Sequence, residues 1–484
     1  MRFINYAAII RVLGSLLLIE AFFLLLSGGV SLAYSESSYQ SFLLAASAAL
    51  IPGVLAIYFT RNEKRDIHKR EGFIIVSSVW IMFSFIGSIP FVHSNSIPNF
   101  TDAFFETMSG FTTTGSSILD DIEALPKGIL FWRSMMQWMG GMGIIVLSLA
   151  IMPILGIGGM QLFVAESPGP TTDKLHPRIA EAAKRLWAIY VIFTLTEALL
   201  LKIGGMNWYD AVNHSFTTMA TGGYSTKQAS IAYFNSPFIQ YVIIAFMILA
   251  GINFALSYFA FKLKFKKILK NEELRFYLFF IFIFTIISTA VLYAGGNETF
   301  EKSFRDSAFQ VVSLITTTGY ATADYLLWPP FLWLLMFMLM FLGGMSGSTG
   351  GGIKIMRIAV LIKNSVLEFK RLIHPNAVVP VRFSNKILTP QIVSNILAFI
   401  VLYMSIFILG TAVMSAFGLD FKTAMGSVIT TLGNIGPGIG DVGPAENFAN
   451  IPAGGKWFLS FLMLIGRLEL FTVLVLFAPA FWKN

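Results

Sequence analysis

The chain has 484 residues, of which 56% are hydrophobic, only 12% are charged and none is cysteine. A soluble chain carries about twice that charged fraction, so the composition excludes an ordinary soluble globular protein, and the missing cysteine excludes disulfides, thiolate metal sites and cysteine nucleophiles. The net charge of +8 sits in loops between apolar runs, the pattern of membrane orientation rather than of nucleic-acid binding.

In chain order, ten apolar runs are read as membrane spans: 7–30, 39–59, 72–92, 131–155, 183–203, 236–261, 275–294, 328–362, 390–417 and 457–482. Each reaches the roughly 20 residues that a helix needs to cross a bilayer. Arg2 and Arg11 accompany the first run, but it is longer than a signal-peptide core and no small-x-small site follows, so a retained span is expected. Four joints between spans are basic. The stretches Arg61 to Arg70, Lys174 to Arg185, Lys262 to Arg275 and Lys354 to Lys386 hold five, four, six and seven Lys or Arg, against seven in all the segments on the other side. That asymmetry places the joints and both termini in the cytoplasm.

The other four connections each carry a short glycine segment: Thr112-Thr113-Thr114-Gly115-Ser116, Ala220-Thr221-Gly222-Gly223-Tyr224, Thr316-Thr317-Thr318-Gly319-Tyr320 and Asn434-Ile435-Gly436-Pro437. Asp102, Asp210, Asp306 and, in the fourth, Thr423 stand thirteen residues before the glycines. Gly141, Gly251, Gly344 and Gly466 fall at matching places in the runs that follow. Close helix packing accounts for any one such glycine, whereas a matched set of four reads as a diverged repeat. The fold class expected is therefore all-α and polytopic. Four membrane helix–pore loop–membrane helix units, 72–160, 161–270, 271–385 and 386–484, surround one pore and follow a two-helix extension, 1–71.

A cation crossing hydrocarbon must shed water, and inward-pointing carbonyls replace it. Glycine takes φ > 0 and lets backbone crowd the axis. The residues before each glycine suffice for about two to three helical turns, whose C-terminal ends would aim partial negative charge at the axis. Asp102, Asp210 and Asp306 then read as structural helix caps, not ion ligands.

Inside the eighth run lies Gly343-Gly344-Met345-Ser346-Gly347-Ser348-Thr349-Gly350-Gly351-Gly352. Each glycine costs a helix about 1 kcal/mol relative to alanine, so the span should break here. Irregular backbone at membrane depth is tolerated where it is buried in protein or lines a wet cavity. No Gly-Lys-Ser/Thr follows, which argues against a phosphate-binding loop. Arg467 lies about 15 Å into the last run, where a charge faces a cavity or a partner; Glu469, two residues on, points from another helix face. The five histidines show no ligand spacing and read as loop residues. A membrane-embedded enzyme would need a cluster of nucleophile, base or metal ligands within the spans, and none is seen.

These segments resemble those of the Trk-type potassium uptake proteins, the TrkH family, in the superfamily with the Ktr membrane subunits and plant HKT transporters. The resemblance covers nearly the whole chain, and the leading helix pair fits the Trk branch. It implies a filter in which Thr113, Thr114, Gly115, Thr221, Gly222, Gly223, Thr317, Thr318, Gly319, Asn434, Ile435 and Gly436 bind potassium ion. It also implies an intramembrane gate made of Gly343, Gly344, Gly347, Ser348, Thr349, Gly350, Gly351 and Gly352, with Arg467 as the pore arginine. All four filter glycines are kept, and some plant relatives with serine at the first favour sodium, so potassium selectivity is implied; the fourth segment departs by lacking Thr-Thr-Gly. The family's pattern further implies an inner-membrane homodimer in contact with lipid, passive or ion-coupled (symporter) uptake, no covalent cofactor, no nucleic acid, and a cytosolic nucleotide-binding regulatory subunit (TrkA-like) on the basic face. A sodium-coupled or sodium-conducting transporter of the same superfamily is the alternative left open.

Overall fold

A computed structural model of the chain describes residues 4–62, 68–150, 175–296, 299–384 and 386–483. The end of the fourth run, 151–155, and the basic residues Lys64, Arg65 and Lys174 lie outside them. Among the described residues, six helices are long and apolar enough to cross a membrane: Tyr6–Ala33, Tyr39–Phe59, Lys69–His93, Glu181–Ile203, Glu272–Ala294 and Pro390–Ala416. Only 28–39% of their apolar windows is buried, so most of this surface faces outward and needs lipid. The first two helices pack as a hairpin through small residues; a Cβ on Gly14 would stand 3.1 Å from the carbonyl oxygen of Gly53.

Of the remaining expected spans, the fourth runs as one helix, Lys127–Ala150, over its described residues, whereas the sixth, eighth and tenth are broken. The eighth run divides as expected into Pro330–Leu339 and Ile355–Ile373, with the glycines looped out between a parallel bridge of Leu342–Gly343 on Ile353–Lys354. Two further breaks correct the sequence-based expectation of full spans. Pro237–Ala250 and Phe254–Phe261 meet at 106°, and Ala453–Arg467 and Phe471–Phe477 at 109°. The first is held by Asn253, whose Oδ1 caps the second half by accepting from the Ala255 N–H at 2.8 Å while its Nδ2 donates to Ser346 O at 2.6 Å. The second places Glu469 and Leu470 at positive φ, 58° and 55°. Both breaks are stabilised by distant parts of the chain, and local propensity carries little trace of them.

Four short helices, Phe100–Phe111, Trp208–Met219, Phe300–Ile315 and Phe421–Gly433, lead into the glycine segments. Each packs between the long helices before and after it. The following helix also reaches the next short helix: Lys127–Ala150 on Trp208–Met219, Pro237–Ala250 on Phe300–Ile315, and Ala453–Arg467 back on Phe100–Phe111. The short helices are capped by Asn99, Asn207, Thr299 and Asp420, whose side chains accept from backbone N–H groups of the first turn. This corrects the expectation for Asp102, Asp210 and Asp306. A capping side chain already stands before each helix, so the carboxylates lie inside the helix and reach elsewhere.

Candidate functional site

All four short helices end alike. The N–H groups of Thr114, Gly222, Thr318 and Ile435 donate to Ser109 O, Thr217 O, Ser313 O and Thr430 O at 2.8, 2.9, 2.8 and 2.9 Å. The N–H groups just before them donate to Gly110 O, Thr218 O, Leu314 O and Thr431 O. This doubled closure requires left-handed backbone at one residue. That residue is Thr113 (φ 52°), Thr221 (54°), Thr317 (59°) or Asn434 (53°). A β-branched residue there is a true outlier, costing on the order of 1–3 kcal/mol. Asparagine adopts this conformation more readily, so the departure in the fourth segment suits the same backbone. Two residues on, Gly115, Gly223, Gly319 and Gly436 take φ of 84°, 77°, 81° and 104°.

The four turns form a closed ring. A Cβ on Gly115 would collide with Gly222 O, one on Gly223 with Thr318 O and one on Gly319 with Ile435 O; on Gly436 it would stand 3.1 Å from Thr114 O. Each glycine thus abuts the carbonyl that precedes the next glycine, first to second, third, fourth and back to first. The C-terminal ends of four helices converge here, a concentration of partial negative charge. Buried Thr113 Oγ1 and Asn434 Oδ1 have no hydrogen-bond partner among the described residues. All four glycines line one cavity of about 90 Å³. A larger cavity of about 930 Å³, lined in part by Tyr34, Lys127 and Trp208, touches none of them. Fourfold repetition, not size, singles out the ring.

Two of the three carboxylates expected to be caps instead brace the chain leaving the ring. Asp210 Oδ1 accepts from Thr226 Oγ1 at 2.6 Å, and Asp306 Oδ1 from Thr322 Oγ1 at 3.3 Å, each sixteen residues on. Thr423 Oγ1 accepts from the Asp441 N–H at 3.0 Å, while Asp102 pairs with Lys456 at 2.6 Å. One turn further, His214 is not a loop residue but is buried within its short helix, Nε2 3.0 Å from Ser225 Oγ. Sequence reasoning missed the corresponding Glu106 and its partner Arg133. Their ion pair spans 2.8 Å with both side chains buried. Glu106 also accepts from Ser117 Oγ and the Ile118 N–H, and Arg133 donates to Ser225 O and lies 4.1 Å from the Tyr224 ring centroid. The pair therefore joins the first loop to the second. Replacing Arg133 with methionine should strand a buried carboxylate at a cost of about 3–5 kcal/mol, read as a lower thermal midpoint of the purified protein. Adding Glu106→Gln should return part of the loss. A midpoint equal to the parent's in Arg133→Met would remove the pair as the tie between the loops.

Directly against the helix side of the ring lies the glycine-rich stretch. Thr349 Oγ1 donates to Met219 O of the second unit at 3.1 Å, and the Gly351 N–H donates to Thr317 Oγ1 of the third at 2.7 Å. A Cβ on Gly351 would collide with Gly433 O of the fourth unit. Arg467 supplies the remaining connection: Nη1 donates to Thr349 O at 2.7 Å and Nη2 to Gly140 O of the first unit at 3.1 Å. Glu469 pairs not with Arg467 but with Arg357, where the chain leaves the stretch. Lys354 Nζ donates to Gly350 O at 2.6 Å, and Glu273 Oε1 accepts from the Ser346 N–H at 2.7 Å. The structure thus brings the expected gate residues together beneath the expected filter residues. The bends that make room for them are what the sequence reading lacked.

The family model described as a cation transport protein, TrkH, matches residues 38–484. The chain is 43% identical over 489 aligned residues to the Trk system potassium uptake protein TrkH of Escherichia coli K12, covering 99% of this chain and all of that one. It is 39% identical to the TrkH of Halomonas elongata, covering 98% of this chain and 99% of that one. The crystal structure of the potassium transporter TrkH from Vibrio parahaemolyticus superposes with a TM-score of 0.92 at 37% identity, covering 99% of this chain and all of that one.

Proposed function

The chain belongs to the TrkH family of cation transport proteins, and from that premise we propose that it takes up potassium across the inner membrane through the glycine ring. The closed cyclic contact of Gly115, Gly223, Gly319 and Gly436 with the carbonyls of Gly222, Thr318, Ile435 and Thr114 carries this reading. Backbone oxygens held in a ring replace the water that a potassium ion sheds, and the short-helix ends favour the cation. Beneath them, the glycine-rich stretch and Arg467 block the path and form the gate. Its hydrogen bonds reach every quarter, and the guanidinium adds a positive charge that opposes cation passage. The protein works as a homodimer with both termini in the cytoplasm. Expression in a bacterium lacking its own potassium uptake tests the reading: growth at limiting potassium is expected. Protein present in the membrane without growth, or growth support for sodium alone, would overturn it.

The basic joints bind a cytosolic nucleotide-binding regulatory subunit. Lys262, Lys264, Lys266 and Lys267 lie on an exposed turn and short helix at the end of the second unit. Exposed charges of one sign recruit an acidic partner face. Changing all four to glutamine should lower recovery of the subunit in a pull-down severalfold and weaken its control of flux. Parent-like recovery and control would take this joint out of the interface.

A further inference from the structure

We propose that Gln137 is a specificity-determining residue of the ring, fixing the orientation of the Gly222–Gly223 peptide beside the ion path. The proposal rests on the filter reading above. Gln137 stands on the long helix after the first glycine segment and is fully buried. Its amide is used at both ends. Nε2 donates to Gly222 O at 2.7 Å, and Oε1 accepts from the Tyr224 N–H at 3.0 Å. The two bonds clasp the second segment on either side of Gly223.

The need for a clasp follows from what the second segment lacks. At the position before the ring glycine, the first and third segments have threonine, anchored by Thr112–Thr114 and Thr316–Thr318 hydroxyl contacts of 2.8 Å. The fourth has Ile435, fully buried. The second has Gly222, and consecutive glycines are the backbone most free to rotate. Rotation of that peptide would move its oxygen away from Gly115 and break the cyclic contact between the first and second segments. A Cβ on Gly222 would collide with Gln137 Cδ, so the glutamine fills the space the missing side chain leaves. It is particular to this quarter. Four residues before the matched glycines Gly251, Gly344 and Gly466 stand Met247, Met340 and Leu462. Among the described residues, no side chain donates to Thr114 O, Thr318 O or Ile435 O.

The test is potassium and sodium flux, measured separately, through the purified full chain in lipid vesicles. Gln137→Met removes both bonds and installs the residue of the matching positions. Gln137→Leu also removes both bonds and installs the residue of the matching position in the fourth unit. Both should lower the potassium-to-sodium ratio by about tenfold, the scale of one lost buried hydrogen bond, while Met247→Leu should leave it unchanged. A folded Gln137→Met with the parent's ratio overturns the proposal. So does failure of both Gln137 variants to elute as folded protein, since the residue then serves the fold alone. A parent that does not discriminate the two ions defeats the filter reading itself, a result distinct from either.

Discussion

Changing Arg467 to alanine, or deleting residues 347–351, should raise potassium flux by about tenfold and blunt its response to the regulatory subunit. Arg467 joins the glycine-rich stretch to the first unit through Thr349 O and Gly140 O. Each is a hydrogen bond from a charged donor, worth about 1.5–3 kcal/mol net. Losing one such bond from the closed state alone shifts a two-state gate by about tenfold or more. The substitution also removes a positive charge from beneath the ring. The deletion acts on the other partner, taking out Thr349 together with its bonds to Met219 O and Ala250 O. Because Arg467 is buried, its loss can also loosen the fold, so elution and thermal midpoint are read first. Well-folded forms of both variants that conduct no faster than the parent, and still respond fully to regulation, would place the gate elsewhere.

Serine at the ring glycines should lower discrimination of potassium from sodium by more than tenfold, with an order set by the geometry. At Gly115, Gly223 and Gly319 the new Cβ meets a carbonyl oxygen head-on, and at Gly436 it has 3.1 Å. All four positions have positive φ, a conformation that a serine side chain disfavours. Backbone and space therefore oppose the change together at three positions, and Gly436→Ser should be the mildest for space. The displaced oxygens are those of the neighbouring segment, so one substitution disturbs two quarters. Gly115→Ser combined with Gly319→Ser touches all four. Ion flux in vesicles, with potassium and sodium run in parallel, reads the effect.

The repeat was legible because a strained turn restricts its residues. Glycine at φ of 77° to 104° and a Thr or Asn two residues earlier leave a mark that survives divergence elsewhere. The eighth-run break was legible for a similar reason, with six glycines in ten residues. The breaks at Asn253 and at Glu469–Leu470 were not, because an asparagine side chain and an Arg357–Glu469 pair from distant segments hold them. The true caps, Asn99, Asn207, Thr299 and Asp420, are ordinary capping residues passed over in favour of carboxylates that repeat at one spacing. That spacing carried a different meaning: in two units the repeated aspartate reaches a threonine sixteen residues on. Glu106, Arg133 and Gln137 lie in only one quarter, so no repeat marked them, and only the tertiary structure brings them to the loops.

Potassium and sodium flux through the purified parent and through Gly115→Ser/Gly319→Ser, side by side in the same vesicles, bears on the ring most directly. The parent should pass potassium at least about tenfold faster than sodium, a difference of about 1.4 kcal/mol, and the double variant should lose most of that preference while remaining folded. Equal flux of the two ions through the parent, or an unchanged ratio in a folded double variant, would contradict a selective ring built from the four glycine segments.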